Sequence, residues 1–418
     1  MEGLLKLASN PPQWQRIILV SELFYPEETS TAFILTKIAK QLSLDFKLLV
    51  LTGPVFNGAK PYESKVKAPI DVGSICRIWA PKLGKNNLLE RIIRLQALTI
   101  GLAWLTILKS RHTDIVFAVT NPAPLIVALA VIRKVSRFRL VFLVHDVFPE
   151  NAIATGIARS DQVLYRIVKG VFDWAYGAAD AIITIGGDMS EVIEKKISAS
   201  VDKITVIENW ADQPLLERIP RDQSLIQSMG LSDHIVIQYA GNIGRAQGLL
   251  EFVNLISGVQ SDVVRFVLRG SGALSSALRN ATQSRKNFIL EGSYSRSAQS
   301  QVLSACDIAL VILGPGMYGL GVPSKTYNIL AAGKPLLFLG PKCSEIYRLV
   351  KQHNIGWAFD WGESDKLIKL IDSLSLRDLQ MIEEKGENAR KLAETEFSET
   401  QQLAKFTALF KSLQRPVQ

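Results

Sequence analysis

Twice along this chain, short β-branched runs alternate with stretches of helical periodicity, and the alternation restarts near residue 210. Parallel strands are joined through long crossovers that are normally helices, so this rhythm dictates an α/β chain built on parallel sheets. In the first half, strands are predicted at Arg16–Ser21, Phe46–Thr52, Ile75–Trp79, Asp114–Val119, Arg139–Val144, Asp180–Ile185 and Ile204–Ile207. Helical patterns lie between them. Thr31–Leu42, for example, sets Ile34, Leu35, Ile38, Ala39 and Leu42 on one face. Beyond the polar stretch Asn209–Pro214, strands recur at Ile235–Tyr239, Arg265–Leu268, Asn287–Leu290, Asp307–Leu313 and Pro335–Leu339. Two α/β domains follow, residues 1–209 and 210–396, and a last helix within 397–418 is expected to return to the first.

Ligands of open α/β sheets bind beyond the carboxyl ends of the strands, so two such domains enclose a cleft lined by strand-to-helix loops. The sharpest of these loops is Gly319–Pro335. Pro323 and Ser324 read as a helix start with Ser324 as N-cap, and Gly333 with Pro335 as its stop. A helix N-terminus suits a diphosphate, and Lys325 adds a full charge there. The plain alternative is an ordinary capped helix with a solvated lysine. Tyr239–Gly248 is a glycine-rich turn in which Gly241, Gly244 and Gly248 permit close backbone approach and Arg245 offers a phosphate-binding fork. Its spacing matches neither the dinucleotide fingerprint nor the Walker loop. Arg269-Gly270-Ser271-Gly272 follows the next strand. In the first half, Thr29, Ser30 and Thr31 sit where a helix begins. Capping accounts for one of these hydroxyls, and the others are free to meet a substrate. His145-Asp146 ends an apolar strand at the same edge, either as a satisfied buried histidine or as a polar contact to substrate.

Composition narrows the partners. Three cysteines, distant and odd in number, imply no disulfide framework and fit a reducing compartment. Four histidines without ligand spacing, and no DxD triplet, lead us to expect no cofactor and no metal site. The first residues lack the apolar core of a secretory signal. The longest apolar stretches, Ala97–Leu108 and Pro122–Ile132, are shorter than the roughly 20 residues that cross a bilayer. A net charge of +9 points to an anionic partner: phosphates, lipid headgroups or nucleic acid. Basic residues cluster at Lys82–Arg111 and Arg133–Arg139, and without a recognition motif beside them no nucleic acid partner is expected.

The stretches FYPEETSTA, VHDVFPENAIATG, VIENWAD, YAGNIGRAQGL, VLRGSG and VPSKTYNILAAGKP, spanning roughly residues 16–340, together resemble the fourth glycosyltransferase family. These are retaining enzymes of GT-B fold, and the likeness is greatest to the subgroup that transfers N-acetylated amino sugars such as L-fucosamine in O-antigen and capsule assembly. The resemblance implies two Rossmann-like domains facing each other across a cleft. It implies a nucleotide-sugar donor, UDP-sugar favoured, held by Gly241, Asn242, Arg245, Gln247, Arg269, Gly270, Gly272, Ser324, Lys325 and Asn328. A lipid-linked acceptor would lie by Thr29, Ser30 and Thr31, with His145 and Asp146 in catalysis. Many members carry two glutamates eight positions apart, where this chain has Leu320 and Asn328, and a phosphate-binding lysine where it has Gln247. A related nucleotide-sugar epimerase and a non-catalytic scaffold on anionic membranes remain as alternatives. The expected place is cytoplasmic, peripheral at the inner face of the membrane.

The segment Asn87–Leu108 bears on that place. It reads as one helix, with Leu88, Ile92, Leu95, Leu98, Leu102 and Leu105 as the stripe expected to enter the headgroup region, supported by Lys82, Lys85, Arg91 and Arg94. Its alternative is a core helix packed on its own sheet.

Overall fold

The computed structural model describes residues 15–27, 29–55, 73–81, 88–197, 201–211, 219–295 and 298–414. Seven parallel strands form the first sheet: β1 (Arg16–Ser21), β2 (Lys47–Thr52), β3 (Ser74–Arg77), β4 (Ile115–Val119), β5 (Arg139–Val144), β6 (Ala181–Thr184) and β7 (Ile204–Val206). Their order is β3-β2-β1-β4-β5-β6-β7. The second sheet has β8 (Ile235–Ala240), β9 (Val264–Arg269), β10 (Phe288–Glu291), β11 (Ile308–Ile312), β12 (Leu336–Leu339) and β13 (Gly356–Phe359), in the order β10-β9-β8-β11-β12-β13. Helices cover both faces of each sheet, so the central strands are continuous apolar runs, fully buried from Ile17 to Val20 and from Val116 to Val119.

In each sheet the chain moves outward over three strands and then returns beside the first, making a switch point between β1 and β4 and another between β8 and β11. The first domain carries α1 (Ser30–Leu42), α2 (Leu88–Lys109), α3 (Pro124–Ser136), α4 (Glu150–Ala154), α5 (Val163–Gly177) and α6 (Gly187–Ile197). The second carries α7 (Gln223–Ser228), α8 (Leu249–Leu255), α9 (Ser275–Thr282), α10 (Gln299–Ser304), α11 (Lys325–Ala331), α12 (Glu345–His353), α13 (Ser364–Ser373) and α14 (Leu379–Thr395). Right-handed crossovers set α2, α3 and α5 side by side on one face of the first sheet, and α1 on the other. There α1 meets α15 (Glu399–Ser412), the last helix. Phe410 of α15 stacks edge-on with Phe117 of β4, its ring centroid 5.0 Å away, and Lys37 bridges to Glu399 at 2.9 Å.

Helix α2 departs from the sequence reading. Its window Ile92–Lys109 is long and apolar enough, by length and composition, to cross a bilayer. Yet the stripe expected to meet lipid is in part the core face: Leu98, Leu102 and Thr106 are buried, and Leu105 packs against them. Ile93, Ile100, Trp104 and Ile107 point outward instead. Arg94 turns inward to an ion pair with Glu22, and Lys82 and Lys85 lie outside the described residues. A helix apolar on every side carries no periodic signal for which face goes to the sheet.

A cleft between the two sheets

The facing strand ends enclose a cavity of about 840 Å³, large enough for a nucleotide-sized ligand. Short contacts hold its walls together. Asp146 pairs with Gly321 as an antiparallel bridge, and the Val147 N–H donates to the Leu320 carbonyl at 3.0 Å. Outside the cavity lining, the Glu345 carboxylate accepts the Gly187 N–H at 2.7 Å, and Asp188 accepts the Glu345 N–H at 3.0 Å. The segment carrying His145 and the segment entering α11 are therefore one hydrogen-bonded unit across the domains.

On the first-domain wall, Thr29 caps α1, its hydroxyl accepting the Ala32 N–H at 3.2 Å. Ser30 and Thr31 also line the cavity. Thr120 Oγ1 accepts both the His145 and Asp146 N–H groups, which fixes the turn after β5. His145 Nε2 is buried and has no protein partner. Burial lowers the imidazole pKa to about 4, so it stands neutral at pH 7 as a hydrogen-bonding group rather than a proton donor. Asp146 is raised to about 6 by burial, against the opposing hydrogen bond from Asn151 Nδ2 at 3.1 Å.

On the opposite wall, Lys325 opens α11. Its Nζ is buried without a hydrogen-bond partner, 3.5 Å from the centroid of the Tyr239 ring and beside Gly241. Burial pulls its pKa from 10.5 down to about 7. Tyr239 is pinned in turn, its hydroxyl donating to the Asn242 carbonyl at 2.5 Å. Gly270 must be glycine: its φ is +147°, and a Cβ there would come within 1.8 Å of the Gly241 carbonyl oxygen. Such close approach leaves the β8 and β9 turns as a backbone shelf beside the lysine.

Of the residues given a donor, acceptor or catalytic role from the sequence, Thr29, Ser30, Thr31, His145, Asp146, Gly241, Asn242, Gln247, Gly270, Ser324, Lys325 and Asn328 line this one cavity. Three do not. Arg245 sits exposed on the β8–α8 turn. Arg269 is drawn aside by Gln238, to whose Oε1 its Nε donates at 3.1 Å, and by Glu291. Gly272 is exposed, its Cα facing the Ile243 carbonyl, and Ser271 lines the cavity in its place. Ser324 lines the cavity but does not cap α11: its backbone is already helical (φ −59°, ψ −25°), and its side chain makes no capping bond. Sequence reasoning missed Asn209, Trp210, Tyr239, Tyr294 and Gln299, which also line it. Trp210 follows β7, and its buried Nε1 has no partner. The rule that ligands gather at strand ends points to these residues as much as to the ones chosen.

Comparison with known proteins bears on the family and the fold. A family model for Glycosyltransferase Family 4 matches residues 62–213. The probable glycosyltransferase WbjE of Pseudomonas aeruginosa is 32% identical over 403 residues, covering 95% of this chain and 98% of that protein. The crystal structure of HepE from Anabaena in complex with UDP superposes with a TM-score of 0.67 at 16% identity, covering 95% of this chain and all of that one. WaaG, a glycosyltransferase involved in lipopolysaccharide biosynthesis, superposes with a TM-score of 0.65 at 13% identity, over 94% and 99% of the two chains. At such identities the structural likeness shows the fold, which is GT-B.

Proposed function

Because this chain belongs to glycosyltransferase family 4, we propose that its cleft moves a sugar, with retention of anomeric configuration, from a UDP-sugar to a lipid-linked glycan in surface-polysaccharide synthesis. The observation that carries the donor side is Lys325, a cavity-lining residue whose buried amine has no hydrogen-bond partner and lies over the Tyr239 ring beside a glycine backbone shelf. Such a group is costly to leave unpaired, and a diphosphate repays it. UDP bound to HepE supports the choice of nucleotide, and the involvement of WaaG in lipopolysaccharide biosynthesis supports the pathway class. The sugar we infer is an N-acetylated amino sugar of L-fucosamine type.

No obligatory metal is invoked. The bond from the anomeric carbon to the diphosphate breaks while the acceptor oxygen bonds to that carbon from the same face. The acceptor proton passes to the departing phosphate oxygen. Lys325 and the α11 amides stabilise the negative charge that grows there. On the other wall, neutral His145 and the Ser30 and Thr31 hydroxyls orient the sugar and the acceptor hydroxyl.

A thermal-shift screen of UDP-, GDP- and ADP-sugars in EDTA, followed by transfer to a lipid-linked acceptor, tests this. A selective ligand at 100 times its Kd stabilises the fold by about 2.7 kcal/mol. No shift with any nucleotide sugar would refute the donor site. Donor consumed equally with and without acceptor would favour an epimerase.

A further inference from the structure

We propose that the outer face of α2, α3 and α5 is a docking platform for an anionic lipid bilayer, with α5 an equal partner to α2. All three helices turn large apolar side chains to solvent as well as to the sheet. Val135 on α3 is 84% exposed; Leu164 and Ile167 on α5 are 71% and 60%; Ile100 and Trp104 on α2 are 66% and 61%. The opposite face of α5, with Phe172, Ala175 and Tyr176, is buried on the sheet, so these outward residues are surplus to the core. Since α2 packs on α3 and α3 on α5, the exposed residues form one contiguous surface. Monomeric soluble proteins rarely expose a continuous apolar patch of this kind without a partner.

Charge decides which partner. Every exposed charged side chain described on these helices is basic, Lys109, Lys134 and Arg166, and the exposed Asp161 just ahead of α5 is paired with Arg159 at 2.9 Å. Lys134 is exposed and holds its Nζ 4.8 Å from the centroid of the Trp174 ring, a cation over an aromatic face. A second copy of the chain packed about a two-fold axis would bring these cations together, whereas an anionic headgroup layer neutralises them. Tryptophans at the edge of such a face, here Trp104 and Trp174, suit the headgroup boundary.

Topology ties the platform to the cleft. In a parallel sheet each crossover helix starts at the carboxyl end of the preceding strand, so the exposed Leu89 and Ile93 of α2, and Val163 and Leu164 of α5, stand at the cleft end of the face. A membrane on this face runs up to the cleft rim. The platform itself stands whichever donor the cleft takes.

The test is flotation of the full chain with phosphatidylcholine vesicles, with and without phosphatidylglycerol. Wild type is expected to float only with the anionic lipid, and less as salt is added. Ile100→Ser/Trp104→Ser on α2 and Leu164→Ser/Ile167→Ser on α5 should each cut the bound fraction by at least about tenfold, since two large apolar side chains leave the lipid. Their urea midpoints should match wild type. Wild type that stays at the bottom with anionic vesicles at low salt overturns the proposal. So does an α5 variant that floats like wild type. A wild-type dimer by light scattering that either variant dissociates would assign the face to a second copy. Transfer to a soluble acceptor fragment without vesicles should be unchanged in both variants. Its loss would place these residues in the cleft's own chemistry and overturn the platform.

Discussion

Binding of a UDP-sugar should draw a proton from solution, and the uptake should grow as pH rises through 7. Lys325 has no hydrogen-bond partner within the protein, and burial lowers its pKa from 10.5 to about 7. At pH 8 about nine in ten molecules then carry a neutral amine, and at pH 6 about one in ten do. A diphosphate beside Nζ restores the ammonium, so binding takes up about 0.9 proton at pH 8 and about 0.1 at pH 6. Affinity falls about tenfold per pH unit above 7, until the pKa of the bound state is reached. Isothermal titration in buffers of different ionisation enthalpy reads the uptake directly. A UDP-sugar is the right probe because its esterified diphosphate does not titrate in this range. Equal uptake at pH 6 and pH 8 would refute the reasoning.

The same burial fixes a stability sign. Unfolded, Lys325 keeps its proton to about pH 10; folded and empty, it releases it near 7. Between those values the unfolded state binds more protons, so the stability of the unliganded protein rises with pH across that window. Lys325→Met should flatten that rise and stabilise the empty protein at pH 7 by up to about 5 kcal/mol.

His145→Ala should lower turnover by about 10²-fold while nucleotide affinity stays within a few-fold, because His145 faces Lys325 from the other domain; titration and single-turnover assays separate the two, and an equal loss in both would remove His145 from the acceptor side. Gly270→Ala should cost at least about 2 kcal/mol, because a Cβ at φ +147° meets the Gly241 carbonyl. An unchanged urea midpoint would contradict the close packing of the two glycine turns.

The sheets were legible in the chain because burial on both faces forces unbroken apolar runs. β1 and β5 run from Arg16 to Ser21 and from Arg139 to Val144, the ranges the pattern predicts. β13 escaped notice: Gly-Trp-Ala-Phe is too short for a period to register, and it becomes a strand by pairing with the buried β12. The site's neighbourhood was legible for a topological reason, since parallel sheets bring every strand's carboxyl end to one edge.

Which side chains enter that edge was decided only in three dimensions. Arg245 and Lys325 both sit in glycine-rich loops as plausible phosphate ligands, yet one ends in solvent and the other beneath Tyr239. Ser324 looks like a cap, but the turn from Pro323 has already wound its backbone into the helix. Helix α2 makes the same point from its surface: an all-round apolar sequence specifies a helix, not its rotation. Local sequence sets backbone periodicity because each residue's preferences act over one or two turns. Rotation, facing and the company a side chain keeps come from packing against segments a hundred or more residues away, and no short window of sequence contains those partners.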